Sequence, residues 1–197
     1  MSSELSYGDP DTRKRILEVT REVVAAKGTA MSVKDVAERA DVSRQAVYLH
    51  FGDRTGLVLA LVRHMDEVLA LGDIVAAIMS EKTGAEVIAA TMRAHVPFNQ
   101  AIDSVALILE SAQNSDEALT VAWRDRMQFR RAAHRAFVER IAELGELDDA
   151  WSVDEAADLF YSTTMIGPWR ELTTELGWTQ GEYVERLSKF LERALLR

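Results

Sequence analysis

Apolar residues recur along most of this chain at intervals of three or four, which is the period of an amphipathic helix. The clearest stripes are Ile16, Val19, Val23 and Val24, and then Leu57, Leu61, Met65 and Val68. No stretch of useful length alternates between apolar and polar residues, as an exposed strand would. The pattern therefore predicts an all-α protein.

Start and stop signals divide this pattern into nine predicted helices. Their ranges are about 10–27, 33–40, 44–50, 54–71, 84–96, 100–113, 116–144, 153–175 and 180–196. Pro97 is expected to end the fifth helix, and residues 72–83 are expected to form a linker with room for one helical turn at 74–79. Capping boxes predict four of the helix starts: Ser32 with Asp35, Thr83 with Glu86, Ser152 with Glu155 and Thr179 with Glu182.

The second and third helices have the spacing of a helix-turn-helix motif, at about residues 33–52. Asp41 suits the left-handed turn between them, and Ser43 can cap the third helix. The apolar interior is assigned to Val36, Ala37, Val42, Val47 and Phe51.

The third helix is short and polar on one side, which indicates a helix that reads DNA. An arginine such as Arg44 can bind guanine and a glutamine such as Gln45 can bind adenine, each through two hydrogen bonds. Tyr48 and His50 can donate to phosphates. Taken singly, any of these residues could be an ordinary solvated side chain, and Tyr48 could instead be half-buried packing.

The run from Ser32 to Leu57 resembles the DNA-binding domain of tetracycline-repressor-type (TetR family) transcriptional regulators. The matching positions are Ser32, Ala37, Asp41-Val42, Tyr48-Leu49-His50-Phe51, Arg54 and Leu57. The resemblance implies phosphate contacts from Ser32, Tyr48, His50 and Arg54, and base contacts mostly from the start of the third helix, here Arg44 and Gln45. Ser43, the predicted cap of that helix, is also expected among the DNA-binding residues. The chain departs from the family pattern in having Asp41 for glycine, Ala46 for threonine and Arg54-Thr55 for Lys-Glu.

The last two predicted helices resemble the end of many TetR-family chains more weakly. The shared features are Ala-Ala-Asp-Leu at 156–159, then Gly177-Trp178 and a tyrosine in a leucine-rich final helix. The resemblance implies that these helices pair with their twins in a homodimer. Such a dimer would place two reading helices one DNA turn, roughly 34 Å, apart. The final helix has an apolar stripe for this contact, although the stripe could instead pack within its own domain: Tyr183, Leu187, Phe190, Leu191, Ala194 and Leu195.

The seventh helix combines cations with an apolar face. Its helical face contains Leu119, Trp123, Met127, Arg130, His134, Phe137 and Ile141. A buried, unpaired cation is costly, so either Arg130 pairs with an acid such as Glu110 or the face lines a cavity. The hypothesis is an apolar or aromatic effector, with an anionic group as an open alternative, near Met92, His95, Trp123, Met127, Arg130 and His134.

The charge distribution supports a chain made of two parts. Residues 1–64 contain ten Lys/Arg and nine Asp/Glu, whereas the remainder contains thirteen and twenty-three, for a net charge of −9. An acidic total disfavours a nonspecific DNA-coating protein. The start MSSELSYGDPDTRKR lacks the apolar segment of a secretory signal, and no apolar run could span a membrane, so a cytoplasmic location is expected.

Motifs for catalysis and for cofactors are missing from the sequence. It has no P-loop, no GxSxG, no dinucleotide-binding glycine pattern, no HExxH pair and no cysteine, so neither a cofactor nor a metal is expected. The predicted organisation is a TetR-type helix-turn-helix domain at 10–70 and a helical ligand-binding and dimerisation domain at 71–197. The predicted function is a ligand-responsive regulator, a repressor rather than an enzyme, that binds double-stranded operator DNA. A helical enzyme or small-molecule carrier with a degenerate DNA-binding head is the alternative.

Overall fold

The computed structural model describes residues 9–197, so residues 1–8, on which part of the secretory-signal prediction rests, lie outside the described chain. The helices are α1 Pro10–Lys27, α2 Val33–Arg39, α3 Arg44–Phe51, α4 Arg54–Val68, α5 Leu71–Met79, α6 Gly84–Ser111, α7 Glu117–Glu143, α8 Val153–Thr163, α9 Ile166–Arg170 and α10 Gln180–Leu195. A 3₁₀ turn follows α1 and a π-helical turn follows α9. Extended pairing within residues 9–197 is limited to one bridge between Leu147 and Leu196, which confirms the all-α prediction.

All four predicted capping boxes are present. Ser32, Ser152 and Thr179 each accept a hydrogen bond from the amide three residues later and receive the reciprocal contact from the acid at that position. At the start of α6, the amide of Glu86 donates to Thr83 Oγ1 at 3.2 Å and the amide of Thr83 donates to the Glu86 carboxylate at 3.0 Å. These pairs satisfy amides that the first turn of a helix leaves unbonded.

The prediction of two helices around Pro97 was wrong, because α6 continues through this residue. A proline inside a helix removes one backbone hydrogen bond. Here Pro97 is exposed, whereas His95 and Asn99 on either side of it are buried. The packing of these neighbours offsets the lost bond, so the helix does not end.

Two further predicted boundaries are corrected. The expected linker at 72–83 contains the nine-residue helix α5, whose apolar residues find partners in the tertiary structure. The expected single helix at 153–175 ends at Thr163, because Met165 has an extended backbone with ψ 157°. Pro168 then lies in the first turn of α9, where its missing N–H costs nothing.

The contacts divide the chain into two compact units. The first unit comprises the chain up to Leu69 together with Ile102–Arg124. Its core packs α1 to α4 with the end of α6 and the start of α7, through residues such as Ile16, Val47, Leu61, Leu109 and Leu119. The functional division at residue 70 stays a prediction, and residues 102–124 contact the first unit although they follow that boundary.

The second unit comprises Ala70–Ala101 and Asp125–Arg197. Its buried apolar residues include Ile88, Met92, Ile141, Phe160 and Leu191. Several polar side chains are buried with them: Thr91, His95, Asn99, Arg130, His134, Thr164 and Ser188. None of the helices in the described part of the chain is long and apolar enough to cross a membrane.

Candidate functional site

The turn between α2 and α3 has the geometry that its sequence predicts. Asp41 has a φ of 52°, in the left-handed region that asparagine and aspartate tolerate better than other side chains. The next amide, of Val42, donates to the carbonyl of Ala37 at 3.0 Å and closes the turn. Ser43 then caps α3, with its Oγ accepting from the amide of Ala46 at 3.0 Å.

Helix α3 presents one buried face and one exposed face. Val47 and Phe51 are buried in the first unit, whereas Arg44 and Gln45 are exposed and make no hydrogen bond or ion pair within residues 9–197. Tyr48 is 48% exposed and Leu49 is 54% exposed. The structure therefore brings the predicted base-reading side chains and Tyr48 to one open surface at the start and middle of a short helix.

Arginines from two other helices hold α3 and the loop beside it. Arg13 of α1 donates from Nη1 to the carbonyl of His50 at 2.9 Å, and its guanidinium lies 4.5 Å from the centre of the Phe51 ring. Arg54 donates to the carbonyls of Thr29 and Met31, both at 3.1 Å. A guanidinium has five N–H donors, so Arg54 retains donors for the phosphate contact that the sequence predicts. The internal bonds of Arg13 and Arg54 were not anticipated from the sequence.

Ser32 and Thr55 show how the surface near α3 is fixed. Besides capping α2, Ser32 donates from Oγ to Asp35 at 2.6 Å. The hydrogen bond from Lys27 and, to a smaller extent, the one from Ser32 lower the pKa of Asp35 to about 2. Thr55 Oγ1 donates to Asp116 at 2.5 Å, which lowers the pKa of that carboxyl group. The turn before α7 thus contacts the first turn of α4 within the first unit.

A cavity of about 60 Å³ lies in the second unit between α5, α6 and α7. Its lining is apolar apart from two histidines and one arginine. The lining residues are Leu71, Ile74, Val75, Ile78, Ala94, His95, Phe98, Phe129, Arg130, Ala133, His134 and Phe137. This volume has room for a few atoms only, so a larger guest requires movement of the lining helices.

Arg130 and His134 belong to a buried polar network beside this cavity. Arg130 donates from Nη2 to the carbonyl of Thr164 at 3.0 Å, and its Nη1 lies 3.5 Å from Oδ1 of Asn99. His134 Nδ1 donates to the carbonyl of Arg130 at 2.7 Å, and its Nε2 lies 2.8 Å from Thr164 Oγ1. The alternative in which Arg130 pairs with an acid is not what the structure shows, since both partners are neutral.

Burial controls the charge of both histidines. It lowers the pKa of His134 to about 4, and it lowers the pKa of His95 well below its ordinary value, with His134 and Arg130 acting in the same direction on His95. His95 Nδ1 donates to the carbonyl of Thr91 at 2.8 Å, so the neutral ring keeps a lone pair on Nε2. Near neutral pH the cavity therefore has two uncharged imidazoles and one guanidinium.

The structure brings three of the six predicted ligand residues to the cavity: His95, Arg130 and His134. Met92 is fully buried in the second unit without lining the cavity, and Met127 is half-buried. Trp123 packs against the core of the first unit. Whether any of the six binds a ligand stays a prediction.

Sequence reasoning missed the contribution of α5 and the polar partners of Arg130. Ile74, Val75 and Ile78 have helical spacing, and this signal could have assigned α5 to a buried face. By contrast, no local pattern places Asn99 or Thr164 next to Arg130, because the contacts span 31 and 34 residues of chain.

Metal binding finds no support in the residues that the structure describes, because these contain no group of three or more His, Asp or Glu side chains suited to a metal ion. The four histidines are divided between α3, α4, α6 and α7, and only His95 and His134 lie together, with ring centres 5.2 Å apart.

Residues 16–61 match the family model described as bacterial regulatory proteins, tetR family. No curated protein matches the chain significantly. Among solved structures, a transcriptional regulator from Saccharomonospora viridis in complex with choline is 17% identical and has a TM-score of 0.84, covering 96% of this chain and 100% of that chain.

Two other solved structures share the fold. FadR from Bacillus subtilis, in complex with stearoyl-CoA, is 15% identical with a TM-score of 0.72, covering 90% of this chain and 96% of that one. SmeT in complex with triclosan is 15% identical with a TM-score of 0.74, covering 95% and 92% respectively. SmeT is the repressor of a multidrug efflux pump of Stenotrophomonas maltophilia.

Proposed function

Because residues 16–61 match the model of the tetR family of bacterial regulatory proteins, we propose that the chain is a regulator of this type: a sequence-specific repressor that a small molecule releases from operator DNA. The observation that carries this proposal is the exposed face of α3. Arg44 and Gln45 lie in the first turn of a short, capped helix and have no partner within the described chain. Arginine and glutamine with free donors are the side chains suited to guanine and adenine edges in the major groove.

The direct test is selection of binding sites from a random pool of duplex DNA, followed by affinity measurements at roughly 150 mM salt. Arg44→Ala and Gln45→Ala are expected to weaken binding to the selected site by about 1–3 kcal/mol each and to relax the base preference at one position. Arg63→Ala, at an exposed arginine of α4 in the same unit, serves as the matched control and should retain the base preference.

An enriched palindrome that wild type binds tightly and the α3 variants bind poorly would support a dimeric regulator. Folded protein that enriches no sequence would overturn the proposal. Such a result would favour the alternative function, a helical enzyme or small-molecule carrier.

We further propose that the effector binds in the cavity between α5, α6 and α7. The three similar structures contain choline, triclosan and stearoyl-CoA, which differ in size and charge. These ligands therefore do not indicate which effector charge this chain accepts. The effector's charge has to be inferred from the chain's own lining residues. The apolar walls favour an apolar or aromatic body, and Arg130 is the polar group that a ligand would meet.

A homodimer through α8 and α10 is the assembly that we propose. Tyr183, Leu191 and Leu195 of the predicted stripe are buried in the second unit, so that part of the stripe packs on its own domain. Phe190 is 48% exposed and lies among Arg186, Lys189 and Arg193. The exposed side chains of α8 include Asp154 and Asp158, which already pair with Arg135 and Arg131 of α7, so the proposed two-fold contact rests on the exposed ring of Phe190.

The proposed mechanism is a shift between populations of two conformations. The effector would favour a state in which the spacing of the two reading helices no longer matches adjacent major grooves. Helix α4 is the proposed transmitter, because α5, which lines the cavity, follows it after two residues. A cross-link that fixes α4 should abolish effector-induced release while leaving operator binding intact.

A further inference from the structure

Arg130 is a buried cation without a buried counter-charge. Only 7% of the residue is exposed, and its two hydrogen-bond acceptors are the carbonyl of Thr164 and the amide oxygen of Asn99. The Phe98 ring, 5.5 Å from the guanidinium carbon, adds a weak electrostatic attraction. A buried charge is ordinarily paired with an opposite charge because neutral partners do not recover its lost hydration.

Beside Arg130 lies a hydrogen-bond donor that lacks an acceptor. Nδ2 of Asn99 is fully buried and has no hydrogen-bond partner among residues 9–197. Since Nδ2 and Oδ1 of Asn99 share one carbon, and Oδ1 faces Arg130, the unpaired amide lies beside the guanidinium. A flip of the amide would not satisfy both groups, because it would place two donors against each other.

A second unpaired polar group lies on α10. The hydroxyl of Tyr183 is fully buried and lacks a partner in the described chain. Burial raises the pKa of Tyr183 to about 12, and Arg130 acts against this shift. The contact that the geometry shows is the one between Arg130 and Asn99, which brings N–H donors together from α7 and α6.

Arg130 lines the apolar cavity, and its partner Asn99 lies one position beyond Phe98, another lining residue. The aliphatic residues of α5 and the rings of Phe98, Phe129 and Phe137 form walls that cannot bind a charge by hydrogen bonds. None of the described lining residues is acidic, so a cationic guest would meet Arg130 without any compensating carboxylate. The chemistry therefore favours a guest with one anionic end and an apolar body.

Helix α5 forms one wall of the cavity and is the element best suited to move. Ala70 precedes it with a left-handed φ of 47° and offers no side-chain cap. Ile78 is its one buried residue, and its other large apolar side chains are only half-buried, so α5 is held less firmly than helices with several buried residues. Displacement of α5 would enlarge the cavity next to α6 and α7 without disrupting the network around Arg130.

We propose that the second unit binds a monocarboxylate with an apolar body, its carboxylate on Arg130 and Asn99 and its body beneath α5. This inference rests on the proposed function, because it names the chemical class of the effector. Bidentate pairing of a carboxylate with a guanidinium would supply the missing counter-charge, and the Asn99 amide would donate a further hydrogen bond.

The test is calorimetric binding of butyrate, hexanoate and decanoate, compared with hexan-1-ol and hexyltrimethylammonium. Only the carboxylates are expected to bind, with affinity rising with chain length. Acetate should bind poorly because it lacks an apolar body. Equal binding of the alcohol, or tighter binding of the ammonium compound, would overturn the proposal.

Asn99→Asp is the decisive variant, because it places a carboxylate of nearly the same shape beside Arg130. It should raise the melting temperature of the protein without added ligand and weaken hexanoate binding roughly 30-fold or more, as expected when a charge pair is lost. Asn114→Asp makes the same change at an exposed position of the first unit and should leave both quantities unchanged. A destabilised Asn99→Asp protein that binds hexanoate like wild type would contradict the assignment.

Operator binding separates this inference from the proposed function. Wild-type protein that binds a selected operator but ignores every carboxylate would remain a regulator with another class of effector. Protein that binds hexanoate but selects no operator would retain the carboxylate site and lose the regulatory function.

Discussion

Asp41 and Ala70 are the two described residues other than glycine with a positive φ, and they differ in how well they tolerate it. An aspartate can hydrogen-bond its own backbone in the left-handed conformation, whereas an alanine has only a methyl group that meets the following carbonyl. Asp41 therefore suits its turn, while Ala70 stores strain at the start of α5.

Ala70→Gly is expected to stabilise the protein by about 1 kcal/mol, because glycine removes the steric cost of the left-handed conformation. Asp41→Gly should give a smaller gain. Urea unfolding at equilibrium measures both. The control Ala25→Gly, in the right-handed helix α1, should instead destabilise by about 1 kcal/mol. A loss of stability in Ala70→Gly would show that the turn is not strained.

His134 should make stability depend on pH in a window of its own. Its pKa is about 4 in the folded protein against an ordinary value of 6.5. Between these values the unfolded chain binds more protons, so the free energy of unfolding should fall as pH drops from 6.5 toward 4, by about 3 kcal/mol at most, and level off below.

His95 acts in the same direction, because its pKa is also lowered by burial. Carboxylates such as Asp35, with a pKa of about 2, lose their favourable contacts at more acidic pH. Unfolding of His134→Gln should therefore show a shallower dependence between pH 6.5 and 4 than wild type. Identical slopes would mean that folding does not lower the pKa of His134.

At the scale of helices, α3 combines a structural cap with a proposed DNA contact in one residue. Ser43 accepts the amide of Ala46, and it lies at the end of α3 that carries Arg44 and Gln45. Loss of the cap and loss of a DNA contact would both weaken operator binding, so a single substitution does not distinguish them.

Two substitutions at Ser43 separate the roles. Ser43→Ala removes the cap and should cost about 1 kcal/mol of stability, whereas Ser43→Asp retains an acceptor and should keep the stability near that of wild type. If Ser43 faces the DNA backbone, Ser43→Asp will bind operator much more weakly, because its carboxylate repels phosphate. Wild-type operator affinity in Ser43→Asp would limit Ser43 to capping. Thermal unfolding and DNA titration provide the two readouts.

At the scale of the whole molecule, α6 and α7 have residues in both compact units. Ala94, His95 and Phe98 of α6 line the cavity in the second unit, and the same helix continues into the core of the first unit from Ile102 onward. Helix α7 returns from the first unit to the cavity. Helices α6 and α7 thus have residues in both units, whereas α4 lies wholly within the first unit.

Assembly is tested by placing a charge on the exposed face of α10. Phe190→Asp should shift the protein from dimer to monomer in sedimentation experiments, because it replaces the exposed aromatic ring of the proposed contact with a carboxylate that would lose its hydration there. Operator affinity should fall by more than tenfold, roughly 1.4 kcal/mol, since one reading helix is lost per complex. Val121→Asp, at an exposed apolar position of α7, is the control and should remain dimeric. A dimeric Phe190→Asp protein would exclude this face.

The sequence by itself determined the elements whose causes are local. Helical periodicity, four capping boxes, the left-handed Asp41 and the polar face of α3 depend on residues within one or two turns of each other, so spacing revealed them. The family resemblance between Ser32 and Leu57 also depends on residues that are close in sequence, and it is confirmed by the family model, which matches residues 16–61.

Only the tertiary structure decided features that depend on distant partners. Pro97 lies inside a continuous helix because its buried neighbours pack, and α5 is a helix whose apolar side chains line the cavity. Arg130 has Asn99 and Thr164 as neutral partners, which no spacing could indicate. Burial free energy and electrostatics act through space rather than along the chain, and they determine which charges this protein leaves without a partner.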